Sequence, residues 1–297
     1  MIKTEIFRGV GTALITPFKK DRIDFNSLEK LINTQIDAGV HALVIGGTTG
    51  EAATLSDRER YELFQASHEM IDGRCKLVFG TGTNDTRAAI KHTEYASRLG
   101  CDGVLLVTPY YNRGTRDGVI KHYEAISDAS GVPIILYNVP SRTGVNLSTE
   151  TLEALAEREN IVAIKEASDS HDRLCELSAF GDTLRLYAGN DSALFTVLSL
   201  GGLGVISVVS NIFPKETVEI CNLFFTNNRD KALKKQKKLL PVINSLFLET
   251  NPAPIKYAMS RAGMCSSDMR LPMWLPTEQS RRRIDEAISL YLTKEDQ

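Results

Sequence analysis

The sequence predicts a (β/α)8 TIM barrel with a C-terminal helical appendage, on three observations. From residue 10 to about 210, short β-branched runs alternate with amphipathic stretches, the rhythm of βα units around a parallel sheet. Eight such runs can be counted, the number that closes a barrel of this kind. No Rossmann or Walker glycine spacing follows any of them, although an open doubly wound sheet remains the alternative reading.

The strand candidates, in order, are residues 11–16, 42–46, 76–80, 104–107, 133–137, 161–165, 184–188 and 204–208. Between them, Asn26 with Glu29 reads as a capping box before Leu28, Leu31, Ile32 and Ile36, and Gly39 stops that helix. Ser56 with Glu59 repeats the device. Further helices are expected over 86–99 ending at Gly100, over 116–129 with Gly131 behind, and from Ser148 to about Glu159. Shorter helical segments follow Lys165 and Asn190, and Pro214 suits the first position of an eighth helix. These units place a barrel domain at residues 1–226.

Residues 227–297 lose the βα rhythm and read as a helical segment packed on the barrel. Its parts are a helix over 231–248 interrupted at Pro241, a break at Asn251-Pro252-Ala253-Pro254, a short helix over 255–262, and a last helix over 277–292 with Ile284, Ile288 and Tyr291 on one face.

Composition narrows the function classes. Hydrophobic residues at 42% and charged residues at 24% of 297 describe an ordinary globular protein, and a net charge of -2 with no basic run argues against a nucleic-acid partner. The first residues carry no long apolar segment, and no later run approaches a membrane span, so a cytoplasmic, membrane-free protein is expected. The 5 cysteines are widely spaced with no C-x-x-C pair, and the 5 histidines form no H-x-x-x-H pair, so neither a disulfide framework nor a metal site is expected.

In such a barrel the chemistry stands at the C-terminal ends of the strands. The sixth run and the residue after it, Ile161-Val162-Ala163-Ile164-Lys165-Glu166, are apolar until a lysine near the end. Burial disfavours an ammonium, so this lysine is either a neutral, nucleophilic amine or a structural group paired with a buried carboxylate. The second run ends in Gly46-Gly47-Thr48-Thr49-Gly50-Glu51, where backbone N–H groups and hydroxyls suit a small anion such as a carboxylate, or else a capped turn. Tyr137 closes the fifth run and Arg142 sits in the following Pro-Ser-Arg-Thr-Gly turn; taken singly, these are a core tyrosine and a solvated arginine. Taken together, the four features have one mechanism: a Schiff-base lysine needs a carboxylate clamp beside it and a hydroxyl to move protons.

The segments Gly47-Thr48-Thr49-Gly50-Glu51, Val107-Thr108-Pro109-Tyr110-Tyr111, Tyr137 to Gly144, Ile164-Lys165-Glu166-Ala167 and Gly204 to Val208 resemble the dihydrodipicolinate (4-hydroxy-tetrahydrodipicolinate) synthase family, within the pyruvate-dependent class I aldolases. The likeness runs essentially end to end and includes Asn251-Pro252 and Arg270-Leu271-Pro272-Met273. It implies that Lys165 forms an imine with pyruvate, that Thr48 and Thr49 hold its carboxylate, and that Tyr137 moves protons. Thr48 would link Tyr137 to Tyr111, supplied by a neighbouring subunit. Arg142 would bind the carboxylate of aspartate semialdehyde, and the backbone at Gly189 and Ile206 would line the pocket. No cofactor is implied, because the protonated imine is itself the electron sink, and the family suggests a homotetramer of two tight dimers. N-acetylneuraminate lyases and keto-deoxy sugar acid aldolases share the lysine and tyrosine; Arg142 favours the synthase, since a short carboxylate-bearing aldehyde calls for a bidentate partner.

Many relatives are inhibited by lysine at an intersubunit cleft, to which Asn84 and Tyr110 correspond. Where lysine-sensitive members tend to carry serine, two histidines and glutamate, this chain has Ala52, Asp57, Arg60 and Ala88. An arginine repels the ligand's ammonium and Ala88 offers it no carboxylate, so weak or absent feedback is expected. A second departure, Asn190 in Gly189-Asn190-Asp191, stands where many relatives have an acidic residue.

Overall fold

The computed structural model describes residues 3–293. Strands β1 (Gly9–Ala13), β2 (Ala42–Ile45), β3 (Lys76–Gly80), β4 (Gly103–Val107), β5 (Ile134–Asn138), β6 (Ile161–Glu166), β7 (Arg185–Ala188) and β8 (Gly204–Ser207) form a closed parallel barrel, with β8 pairing back onto β1. All eight overlap runs read from the sequence, β1 starting two residues and ending three residues before the expected 11–16. They alternate with α1 (Phe25–Asp37), α2 (Asp57–Ile71), α3 (Thr86–Leu99), α4 (Arg116–Ala129), α5 (Thr149–Ala156), α6 (His171–Ser178), α7 (Leu194–Ser199) and α8 (Pro214–Phe225).

Strand residues of alternating direction feed two cores. Val44, Val78, Leu105, Ile135, Ala163 and Ile206 fill the barrel interior, whereas Leu43, Phe79, Leu106, Leu136 and Ile164 face the helices. At the end opposite the strand C-termini the interior is plugged: Phe7 stacks on Tyr187 with ring centroids 4.5 Å apart, and the Tyr187 hydroxyl donates to the Phe7 carbonyl at 2.5 Å. The barrel interior is closed at that end.

Helix boundaries follow the capping chemistry, with three corrections. Ser56 and Glu59 make the capping box of α2 as expected. For α1 the cap is not Asn26 but Asp24, whose carboxylate accepts from the Ser27 N–H at 3.1 Å and the Ser27 hydroxyl at 2.8 Å. Helix α5 stops at Ala156, short of Glu159, where the Lys3 ammonium collects the carbonyls of Ala156, Arg158 and Ile161.

Beyond the barrel lie α9 (Arg229–Ser245), α10 (Ala253–Arg261) and α11 (Glu278–Thr293); α9 packs on α8 and α11. The third correction is that α9 is not interrupted at Pro241. The proline lies on the exposed face, while Leu239, Val242 and Ile243 hold the helix on the core. An antiparallel pair of two-residue strands, Phe18–Lys19 and Arg22–Ile23, and a helical turn at Pro140–Thr143 were not signalled by the sequence. No helix of the described residues is long and apolar enough to cross a membrane.

Candidate active site

Lys165 enters near the end of β6, in register with Tyr137 of β5 on one side and Tyr187 of β7 on the other. It is 5% exposed, and its Nζ lies 4.2 Å from the centre of the Tyr137 ring. The next residue, Glu166, points the opposite way and is fully engaged elsewhere. Its carboxylate accepts from Asn138 Nδ2 at 3.1 and 2.9 Å and from the Ser168 N–H at 2.7 Å, with Arg173 at 3.9 Å. Among the described residues Lys165 has no salt-bridge partner; the buried Asp191 carboxylate acts on it from beyond ion-pair distance. Burial pushes its pKa from 10.5 down to about 7; the Asp191 charge opposes the fall and the Arg142 charge adds to it.

Tyr137 is buried, which raises its phenol pKa, while the Arg142 charge and a hydrogen bond with Thr48 pull it back. Thr48, Tyr137 and Arg142 line one cleft of about 510 Å³ at the barrel mouth, together with Asn251 and Pro252 of the appendage. The Lys165 amine does not line that cleft; it lies against the ring of Tyr137, which does. Arg142 is exposed and donates from Nη2 to the Asn251 carbonyl at 2.7 Å, leaving other N–H groups of its fork for a ligand. Gly189 and Ile206 are buried near this end without lining the cleft: the Gly189 N–H donates to the Glu166 carbonyl at 2.6 Å, and Ile206 packs with Tyr137 in the interior core.

The loop after β2 is held in an unusual path. Gly46 has φ +67°, and a Cβ on Gly80 would come within 2.3 Å of the Gly46 carbonyl oxygen, so β3 can approach only through glycine. Glu51 closes the loop at φ +54°, a conformation uncommon for a side-chain-bearing residue. Long-range contacts hold it there: the Lys256 ammonium meets Glu51 Oε1 at 2.5 Å, and the Arg270 N–H donates to Oε2 at 3.0 Å.

Tyr111 is set apart from these groups. It is 93% exposed at φ +68° and does not line the cleft, so its hydroxyl does not join Thr48 and Tyr137 of its own chain. Ala52, Asp57, Arg60, Ala88 and Tyr110 line an extension of the same cleft; Asn84 does not. Arg60 is buried and donates to the carbonyls of Ala52 at 2.8 Å and Gly80 at 3.3 Å. The Asp57 carboxylate is held at about 2 by hydrogen bonds from Lys91 and His92.

Several residues here carry little signal in the sequence. Asp191 is buried, faces the charge of Lys165, and anchors the turn after β8 by accepting from the N–H groups of Val208 and Val209 at 2.9 and 3.1 Å. The neighbouring Asn190 donates to Asp169 instead. His92, which meets Asp57 at 2.9 Å, and Lys256 stand in no motif that marks them. The acidic residue in Gly189-Asn190-Asp191 was the sole local signal for Asp191.

Residues 6–290 match the model of the dihydrodipicolinate synthetase family. The chain is 46% identical over 287 residues to the 4-hydroxy-tetrahydrodipicolinate synthase of Clostridium novyi (strain NT), covering 96% of this chain and 97% of that one. Its fold is similar to the crystal structure of dihydrodipicolinate synthase from Thermotoga maritima, with a TM-score of 0.94 and 40% identity over 97% of this chain and 99% of that chain. A monomeric dihydrodipicolinate synthase variant is equally similar in fold, with a TM-score of 0.94 and 40% identity over 96% and 97% of the two chains.

Proposed function

We infer the reaction from one premise: the chain belongs to the dihydrodipicolinate synthetase family. It condenses pyruvate with L-aspartate 4-semialdehyde to give 4-hydroxy-tetrahydrodipicolinate, the entry into diaminopimelate and lysine biosynthesis, through a lysine Schiff base and without an added cofactor. The observation that carries the chemistry is Lys165, an unpaired buried amine with its pKa lowered to about 7, lying against Tyr137.

In our reading, neutral Lys165 attacks C2 of pyruvate and the carbinolamine expels water to leave a protonated imine. Thr48 and Thr49 hold the pyruvate carboxylate. Tyr137 carries protons to and from the reacting centre, its phenol kept protonated by burial and coupled to Thr48. Loss of a C3 proton gives the enamine, which attacks the aldehyde carbon while Arg142 holds the second carboxylate. The amino group of the second substrate then displaces Lys165 from C2, closing the ring and freeing the amine.

Arg142 is the ground for preferring this reaction over cleavage of a sugar acid, because its guanidinium stands at the mouth of the cleft with donors to spare. The test is a direct comparison of turnover. Pyruvate with aspartate semialdehyde should be condensed at least about 100-fold more efficiently than N-acetylneuraminate is cleaved, since a missing bidentate partner costs several kcal/mol; efficient sugar cleavage without condensation would overturn the assignment.

We further propose a homotetramer of two tight dimers, in which Tyr111 completes the hydroxyl relay of a neighbouring subunit. The exposed Tyr111, with Leu271 and Trp274 also largely exposed, supports that assembly, and sedimentation velocity measures it. In the same reading residues 1–226 form the catalytic barrel and 227–297 the segment packed on it. The five cysteines, all free, fit a cytoplasmic setting.

Feedback by lysine is expected to be weak or absent. In the cleft extension Ala88 offers no carboxylate, the Asp57 carboxylate is taken up by Lys91 and His92, and Arg60 places a cation where the ligand's ammonium would stand. Initial rates with lysine in the millimolar range should stay within about twofold of those without it, given a lost ion pair and an added repulsion. Strong inhibition at those concentrations contradicts this reading of the site.

A further inference from the structure

We propose that Asn251, carried to the barrel mouth by the C-terminal segment, is a positioning residue: its side-chain amide fixes the direction of the Thr49 hydroxyl proton and so sets the affinity for the 2-oxo acid. The proposal rests on the reading of Thr48 and Thr49 as the clamp for the pyruvate carboxylate.

Asn251 is 5% exposed and Thr49 3% exposed, and Asn251 Nδ2 donates to Thr49 Oγ1 at 2.9 Å. An amide nitrogen can only donate, so the threonine oxygen is the acceptor and its own proton must point elsewhere. Among the described residues no acceptor takes that proton. The hydroxyl is therefore turned into a donor with nothing to donate to, which is what a carboxylate ligand requires. The opposite orientation of the amide, with Oδ1 toward Thr49, would consume the proton and leave both N–H groups of the amide buried and unpaired. The observed one pairs one N–H with Thr49 and leaves the second N–H and the acceptor Oδ1 without partners among the described residues.

The same residue reaches the second substrate's site through its backbone. The Asn251 carbonyl accepts from Arg142 Nη2 at 2.7 Å, so one position outside the barrel touches both groups assigned to carboxylates. The two links differ in what a side-chain replacement does to them. The amide is lost; the carbonyl is kept. Substitution at 251 should therefore weaken pyruvate binding and leave the semialdehyde site in place, a split that a general loosening of the mouth would not produce.

The experiment uses the full-length protein with Asn251→Ala, the isosteric Asn251→Asp, Thr49→Val and the Thr49→Val/Asn251→Ala pair, each checked for folding by circular dichroism and thermal melting. Asn251→Ala should raise KM for pyruvate about 10-fold, the worth of one charge-assisted hydrogen bond, with kcat within about threefold and KM for the semialdehyde within about twofold. Asn251→Asp should do more, because a carboxylate accepts the threonine proton and adds a like charge beside the ligand. In the Thr49→Val background Asn251→Ala should cost nothing further.

An unchanged pyruvate KM in Asn251→Asp, equal losses in the two backgrounds, or parallel rises in both KM values would overturn the proposal. If Thr49→Val itself leaves the pyruvate KM unchanged, the clamp reading beneath it fails instead, and with it this role for Asn251. Should Asn251→Ala not fold, the Asn251→Asp and Thr49→Val constants decide the matter alone.

Discussion

The Lys165→Met protein is expected to lose turnover by on the order of 10⁴-fold or more, the scale on which an enzyme suffers when its covalent nucleophile is removed. It should also stop forming a reducible adduct. With pyruvate and borohydride the natural chain should gain one reduced pyruvate, mapping to the peptide that contains residue 165, and the variant none. Stability should move the other way. Below about pH 7 the folded chain bears the full cost of keeping a buried ammonium at Lys165. As the pH rises from about 7 toward 10.5 the unfolded chain still binds a proton that the folded one has released, so the cost shrinks and stability increases through that window. Methionine removes the term, and the variant should melt at or above the natural temperature at neutral pH, without that contribution to the pH slope. The same ionisation shapes the rate: kcat/KM for pyruvate should climb with pH and level off above about 7 as the free amine accumulates. A reducible adduct on Lys165→Met, or a lysine that titrates near 10, would remove the basis of the mechanism.

Why Lys165 was legible and its supports were not comes down to sequence distance. A lysine in an apolar strand is a local contradiction, visible in six residues, and the eight strands were visible because period and turn residues are local too. The tight pair of short strands near residue 20 was not. Its turn uses Lys20 and Asp21 at φ +51° and +64°, without the glycine or asparagine that usually marks such a turn. The partners that accompany this conformation come from far along the chain: Asp268 accepts from the Lys20 N–H at 2.8 Å, and Arg270 donates to the Asp21 carbonyl at 2.6 Å. Asn26 misled for a related reason. Two acceptor side chains stood within reach of the first turn of α1, and only the geometry of Ser27 chose Asp24. At the site itself, Thr48, Thr49, Tyr137 and Arg142 sit in local motifs, whereas the contacts of Asn251 with Thr49 and of Lys256 with Glu51 join the appendage to the second strand's loop across most of the chain. No periodicity records such a pair.

That last contact carries the second large effect. Lys256 is 0% exposed and the Glu51 side chain 1% exposed; besides Glu51, the ammonium donates to the Asp268 carbonyl at 2.8 Å and lies 4.4 Å from the centre of the Phe18 ring. Burial lowers the lysine's pKa while Glu51 raises it, so the pair is held by mutual attraction against the loss of water. Removing one partner of such a pair leaves the other charge buried alone, at a cost of about 3–5 kcal/mol. Lys256→Met should therefore lower the melting temperature by on the order of 5–10 °C. It should also loosen Glu51 from its left-handed conformation, and with it the Thr48-Thr49 loop, raising KM for pyruvate. The control is Glu51→Gln/Lys256→Met. Glutamine still accepts from the Arg270 N–H and buries no charge, so the double variant should be more stable than Lys256→Met alone. If the single variant melts within about 1 kcal/mol of the natural chain, water reaches Glu51 and the pair is not what fixes the loop. If the double variant is the less stable of the two, the stranded charge is not the source of the loss, and the appendage holds the barrel mouth by packing instead.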